Sequence, residues 1–266
     1  MPNLNQIYSL KEKFHELNTR DKLVRSYIEE TKTRGVLKKA FDSSKINESV
    51  SETRAFSFLL ENLNPSKPDF IKYFDEAREE DVALLFIDIT SFSKTISGWP
   101  SNKIKMYLDG YYKEAIPIIY KNGGEIEKLM GDGIICVFGK PFLDLEDPEY
   151  VYKAEDCAEA IIKKFYDSDK NVKVAIHKGA INYYKVPGEY YGEYTIIGQS
   201  ITDLYRLEGV SVPNAINFYT DSSYDYLGWG RSRFYKKNIS CQEFDIKNLQ
   251  GVDFKQVKYI TFSGYN

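Results

Sequence analysis

Val82 to Ile87 reads Val-Ala-Leu-Leu-Phe-Ile, an apolar run with no polar interruption, and Asp88 follows it at once. A run of this length is a strand, and one without alternation has no face to give to water. It therefore predicts a central strand covered on both sides. Such a strand needs neighbours, and the chain supplies them. Residues 101–121 carry Ile104, Tyr107, Leu108, Tyr111 and Ile116 at helical spacing, and Asn122-Gly123-Gly124 stops that pattern as a glycine C-cap does. Gly124 to Lys128 and Ile134 to Phe138 read as two strands joined by a tight Gly131-Asp132-Gly133 turn. A helix over 149–166, strands at Val172 to Ile176 and Ala180 to Tyr184, and a helix from Ser200 to Glu208 follow. The order βαββαβ predicts an α+β fold with a ferredoxin-like core, its sheet mostly antiparallel and its helices gathered on one face.

In front of this core the texture is different. Leu10, Phe14, Leu17, Val24 and Ile28 make an amphipathic helix between Leu10 and Arg34, a polar stretch runs from Asp42 to Glu52, and a second helical pattern around Phe56 to Leu63 ends at Asn64-Pro65-Ser66-Lys67-Pro68. Residues 1–76 thus read as a small helical appendage and 77–266 as the main domain. With 42% hydrophobic and 28% charged residues the chain can bury a sizeable core. A net charge of -3 gives no basic field for nucleic acid or an anionic membrane surface. Cys136, Cys157 and Cys241 are far apart and form no metal or disulfide pattern. The N-terminus has no apolar signal segment, and no apolar run approaches the roughly 20 residues that span a bilayer, so a soluble, cytoplasmic protein without stable membrane insertion is expected.

Two acidic residues carry the chemistry. A carboxylate at the end of a buried strand, Asp88, can hold a hard cation, while the amides from Ile89 to Ser93 point at a phosphate; a helix cap is the plainer alternative. In Gly131-Asp132-Gly133, glycine on both sides supplies φ > 0 and room for a large ligand, with Asp132 held at the tip; an ordinary type I′ turn is the alternative there. If the two strands are neighbours, both carboxylates come to one edge, where they can bridge two Mg²⁺ or Mn²⁺ ions.

With those residues in view, FIDITSF (86–92), GGEIEKLMGDGIICVFG (123–139), AIHKGAI (175–181) and EYTIIGQSITDLYRLEG (193–209) resemble, in order and spacing, the signature segments of class III adenylyl and guanylyl cyclases. The resemblance covers about residues 80–262. It implies an enzyme that closes a nucleoside triphosphate into a 3′,5′-cyclic nucleotide and releases pyrophosphate with two divalent ions per site, held by Asp88, Asp132 and the main-chain carbonyl of Ile89. It also implies a head-to-tail homodimer with composite sites. Arg206 matches the arginine that steadies the α-phosphate in the transition state, Lys247 the lysine that grips the terminal phosphates, and Phe92 and Ser93 follow the first metal ligand on the phosphate side. Lys128 and Thr195 fall at the two base-selecting positions, with the lysine and threonine expected for adenine and no glutamate at 128 for guanine.

The sequence departs from the family at one point: Thr202 stands where a ribose-orienting asparagine is usual, and Asp203, Leu204 and Tyr205 replace small residues before Arg206. In this, and in having no recognisable sensor domain, the chain is similar to the pyrimidine cyclases of Pycsar antiphage systems, whose cyclic UMP or cyclic CMP is read by a separate effector. The substrate is therefore expected to be ATP or, equally, UTP or CTP. Two other readings stand beside this one. One is an inactive cyclase-like module for dimerisation or nucleotide binding, against which the intact Asp88, Asp132 and Arg206 argue. The other is a GGDEF-type cyclase, which Gly123-Gly124-Glu125 matches only in part. His177 is expected to be structural, His15 has no evident partner, and the tyrosines at 183, 184, 190, 191 and 194 are expected to pack the sheet.

Overall fold

A computed structural model of the chain describes residues 69–186, 193–228, 240–247 and 249–262. The helices expected at Leu10 to Arg34 and around Phe56 to Leu63 lie outside the described residues, as do His15, Tyr190 and Tyr191. The chain divides into two compact units, residues 1–53 with 100–117 and residues 54–99 with 118–266. The sheet belongs to the second.

Helix α1 (Asp69–Asp75) leads into β1 (Glu79–Ile89), then the single turn α2 (Phe92–Thr95) and the long α3 (Ser101–Lys121). The hairpin β2 (Glu125–Met130) and β3 (Gly133–Phe138) follows, then α4 (Glu149–Phe165), β4 (Val172–Val186), β5 (Glu193–Ile197) and α5 (Gln199–Glu208). The chain continues through β6 (Ala215–Tyr219), a π-helical turn (Tyr224–Gly228), β7 (Ser240–Asp245) and β8 (Gln256–Thr261).

The strands form one sheet in the order β2-β3-β1-β4-β6-β8-β7, with β5 paired to β4 off that path. β1 lies antiparallel between β3 and β4, as the βαββαβ order requires, and Val82 to Ile87 are all buried. This is the expected α+β, ferredoxin-like core, extended by β6, β8 and β7. A strand with no exposed face needs cover on both sides, and here the helices are not gathered on one. Val82, Leu84 and Phe86 pack with Leu204 and Leu207 of α5, whereas α4 packs on β1, β3 and β4 without entering that cluster. Alternate residues of a strand point to opposite faces, so α4 and α5 lie on opposite sides of the sheet.

The two strands expected at Val172 to Ile176 and Ala180 to Tyr184 are one continuous strand. β1 begins earlier than its apolar run, and its acidic start pairs onward, Asp81 with Ala180, Glu80 with Ile181 and Glu79 with Asn182. The polar residues that suggested a break stay in the ladder because they are provided for: Lys178, 3% exposed, bonds the Asp81 carboxylate and lies 3.6 Å from Asp147.

The end of α3 follows the glycine signal closely. Gly123 has φ 82°, its N–H donates to the Tyr120 carbonyl at 3.0 Å, and the Gly124 N–H donates to the Ile119 carbonyl at 3.1 Å, the paired bonds of a Schellman cap. Gly124 is needed for space as well, since a Cβ there would stand 2.5 Å from the Phe138 ring and 3.0 Å from Ile119. Gly124→Ala is expected to lower stability by about 1–3 kcal/mol, read from the midpoint of urea denaturation.

His177 is buried between Tyr219 and Phe254, its Nδ1 has no hydrogen-bond partner, and Nε2 stands 3.8 Å from Asp203. Burial pushes its pKa down to about 4, outweighing the pull of Asp81. The unfolded chain takes up a proton near pH 6.5 that the folded chain refuses until about pH 4, so stability is lost as pH falls through that window, by up to roughly 3 kcal/mol. Urea titrations at pH 7.5 and pH 5 should show the loss in the wild type and a smaller one in His177→Gln.

Candidate active site

The last turn of the ladder decides what meets at the sheet edge. Ile87 pairs with Ile134 across β1 and β3, so the tip of the β2–β3 hairpin lies beside Asp88 and Ile89. The Asp132 carboxylate lies beside the Ile89 backbone and within hydrogen-bonding reach of Asp88. Gly131 alone takes φ > 0, at 63°; Asp132 does not. The turn therefore has its glycine at the first central position, as type II′ turns do, and is not type I′. Gly133 serves packing, because a Cβ there would stand 2.8 Å from the Phe86 ring.

Two residues missed in the sequence complete this cluster. Lys173 is directly opposite Asp88 on β4, with Nζ 3.5 Å from the Asp88 carboxylate and 2.5 Å from Glu208, which lies in the last turn of α5. Each of the three side chains is about one-fifth exposed. Burial, and then the charge of Asp132, push the Asp88 pKa up to about 6 against the opposing pull of Lys173. Asp132 and Glu208 are raised too, each mainly by burial. Lys173 bridges Asp88 and Glu208, and with Asp132 beside Asp88 the cluster sets three carboxylates against one ammonium, so the excess is negative. Lys173 could have been found from the register of β4 on β1; Glu208, two residues beyond Arg206, carried no signal of its own.

Among the described residues no group of three or more histidine, cysteine or acidic side chains is arranged as a metal cage. Two adjacent carboxylates with raised pKa values are nonetheless the oxygen-donor set of a magnesium-type site, which ordinarily takes one or two carboxylates and completes its shell with water and substrate phosphates. The residues present fit such an ion.

The other expected site residues lie on separate elements. Phe92, half-buried, and Ser93, exposed, open α2, directly after Ser91 at φ 58°. Thr202 and Arg206 are both exposed and one turn apart on α5, while Asp203, Leu204 and Leu207 of the same helix are buried. Lys128 is half-buried on β2, Thr195 is half-buried on β5, and Lys247 is exposed just after β7. The Thr195 hydroxyl donates to Glu127, another residue that the sequence reading passed over.

No family model matches the chain. The fold is that of adenylyl and guanylyl cyclase catalytic domains. The adenylyl cyclase CyaB of P. aeruginosa superposes with a TM-score of 0.58 at 21% identity, covering 70% of this chain and 96% of that one. The catalytic core of a rhodopsin-guanylyl cyclase with converted specificity, solved with ATPαS, gives a TM-score of 0.57 at 22% identity over 70% of this chain and 98% of that one. In sequence, a cytidylate cyclase of Staphylococcus aureus is 25% identical over 119 residues, 42% of this chain and 28% of that protein. An uncharacterized protein of Mycobacterium tuberculosis is 25% identical over 131 residues, 48% of this chain and 23% of that protein. The chain thus matches only about a quarter of the length of these curated relatives. Among the described residues no helix is long and apolar enough to cross a membrane.

With no cation present, the acidic pair repels itself. The Asp88 pKa is raised above its unfolded value of 3.8, so stability is lost as pH rises from there to about 6 and the full cost is present above that. Asp88→Asn in EDTA at pH 7.5 is expected to be more stable than the wild type by about 1–3 kcal/mol, measured by chemical denaturation.

Proposed function

We propose that this chain is a class III nucleotidyl cyclase that converts a nucleoside triphosphate to a 3′,5′-cyclic nucleotide and pyrophosphate. The observation that carries the reading is the contact between Asp88 and Asp132, two half-buried carboxylates with raised pKa values at one edge of a cyclase fold. Asp88, Asp132 and the Ile89 carbonyl would hold two Mg²⁺ or Mn²⁺ ions, which when bound supply Lewis-acid activation of the ribose 3′-hydroxyl and charge neutralisation at the leaving pyrophosphate. O3′ forms a bond to the α-phosphorus, the bond from that phosphorus to the β-bridging oxygen breaks, and the hydroxyl proton passes to solvent.

The remaining residues act by position and charge. Thr202 and Arg206 project together from the exposed face of α5, which suits action in the site of a second copy. There Arg206 would offset charge on the α-phosphate, and Thr202 would take the place of the ribose-orienting asparagine. Phe92, Ser93 and Lys247 would meet the phosphates. Lys128 and Thr195 would meet the base, which is adenine or a pyrimidine; the cytidylate cyclase relative supports the pyrimidine side. A homodimer with two composite sites, a cytoplasmic location and a separate effector that reads the product complete the reading.

Asp88→Ala and Asp132→Ala are each expected to lower turnover with Mn²⁺ at least about 100-fold while the protein stays folded and dimeric. Arg206→Ala should be as inactive alone. Mixing it with Asp88→Ala after reversible dissociation should restore roughly a quarter of wild-type activity, since half of the random dimers then hold one intact site of two. Failure to restore activity in verified mixed dimers would count against composite sites. Wild-type-like activity of both aspartate variants would overturn the assignment of Asp88 and Asp132 to the metals, and no cyclic product from ATP, GTP, CTP or UTP would leave the inactive-module reading.

A further inference from the structure

Glu127 is 2% exposed, although it lies on β2, the edge strand of the sheet, between Ile126 and Lys128. The ladder is irregular at this point. Ile126 pairs with Cys136 and Lys128 with Ile135, the very next residue, so Glu127 is the extra residue of a β-bulge. A bulge re-aims a side chain, and a carboxylate turned inward is costly unless it is hydrogen-bonded. It receives such a bond from Thr195 on β5, a strand paired to β4 and away from β2, with Oγ1 donating to Glu127 Oε1 at 2.8 Å.

The bond fixes what Thr195 can do next. A hydroxyl has one hydrogen and two lone pairs. Both hydrogen-bond partners of Oγ1 are acceptors, the Glu127 carboxylate at 2.8 Å and, less closely, the Ile196 carbonyl at 3.5 Å. Whichever takes the hydrogen, the hydroxyl keeps only lone pairs for a third group. The Lys128 ammonium, on the residue next to Glu127, can only donate. With Lys128 on the ring nitrogen and Thr195 on the exocyclic group, as the cyclase reading has them, the base edge must place a ring-nitrogen acceptor beside an amine donor. Adenine does so with N1 and its 6-amine, and cytosine with N3 and its 4-amine. Guanine and uracil present the reverse, a ring N–H beside a carbonyl oxygen, and would set donor against donor and lone pair against lone pair.

We propose that Glu127 is the positioning residue that holds Thr195 as a hydrogen-bond acceptor, and so restricts the substrate to nucleoside triphosphates whose base carries an exocyclic amine beside an unprotonated ring nitrogen, ATP or CTP. This rests on the cyclase reading and on Lys128 meeting the ring nitrogen and Thr195 the exocyclic group of the base. It divides purines and pyrimidines alike by the chemistry of one edge.

The test is kcat/KM of the full-length protein with Mn²⁺ and each of ATP, CTP, UTP and GTP, products identified by mass against 3′,5′-cyclic standards. The better of ATP and CTP is expected to exceed both UTP and GTP by at least about 100-fold, and the two arms show which amine-bearing base is used. In Glu127→Gln the new amide can donate to Thr195 and free its hydrogen toward a base carbonyl, so that ratio should fall at least about tenfold; Thr195→Val should lower it similarly and Thr195→Ser should keep it. A purely structural role for Glu127 would lower all four activities together and leave the ratio unchanged. Cyclic UMP or cyclic GMP as the main wild-type product would overturn the proposal while the cyclase reading stands, and so would an unchanged ratio in both Glu127→Gln and Thr195→Val. No cyclic product from any substrate would overturn the cyclase reading and this inference with it.

Discussion

Asp88 and Asp132 face one another at the end of a buried strand, and most of what surrounds them follows from having to tolerate that contact. Two ionised carboxylates in partial burial repel at short range and lose hydration together, which is why the Asp88 pKa lies near 6. The fold does not remove the strain by separating them. It fixes Asp132 at the hairpin tip beside Ile89 and sets a single cation, Lys173, against Asp88 and Glu208. One ammonium among three carboxylates is partial compensation, and it leaves room for further positive charge where the proposed chemistry requires it. Stability given up at a site in this way is the usual relation between a binding surface and the scaffold beneath it.

The rigidity needed to hold that contact comes from β1. Its apolar run is buried on both faces, and its ladders to β3 and β4 fix the register on either side of Asp88. A slip of one residue would send every side chain of the strand to the wrong face, so the register is strongly specified. The same register puts Lys173 opposite Asp88 and the hairpin tip opposite Ile89. Gly133 lets β3 close on Phe86, and Gly131 turns the chain, so the two glycines of one motif perform different tasks.

How much of this was legible in the sequence depends on whether the cause was local. The central strand, the glycine cap of α3, the hairpin and the meeting of Asp88 with Asp132 were readable because periodicity and turn chemistry act within a few residues. The unbroken β4 was not. His177-Lys178-Gly179 looks like an interruption until Asp81, far away in sequence, is seen to neutralise Lys178. The helices on both faces could have been inferred from β1 itself, since an all-apolar strand requires double cover. Glu127 was hidden for a different reason. A bulge is a mismatch between two strands, and neither strand alone records it, so the residue read as part of an ordinary β2 although its position beside Lys128 was plain.

α5 ties the local cluster to the surface. On an α-helix, residues two positions apart point about 200° from one another. Arg206 accordingly faces solvent while Glu208 turns to Lys173 and, through it, to Asp88. In the proposed dimer one helix would then serve both sites, presenting Arg206 to the partner's substrate and anchoring its last turn at its own acidic pair. Charge introduced at the acidic pair would act first on the Lys173 bridge, and that bridge holds the helix on which Arg206 sits. In that dimer the short path from Asp88 to Glu208 would connect the two sites without a large motion, because a bound cation and Lys173 would compete for the same carboxylate.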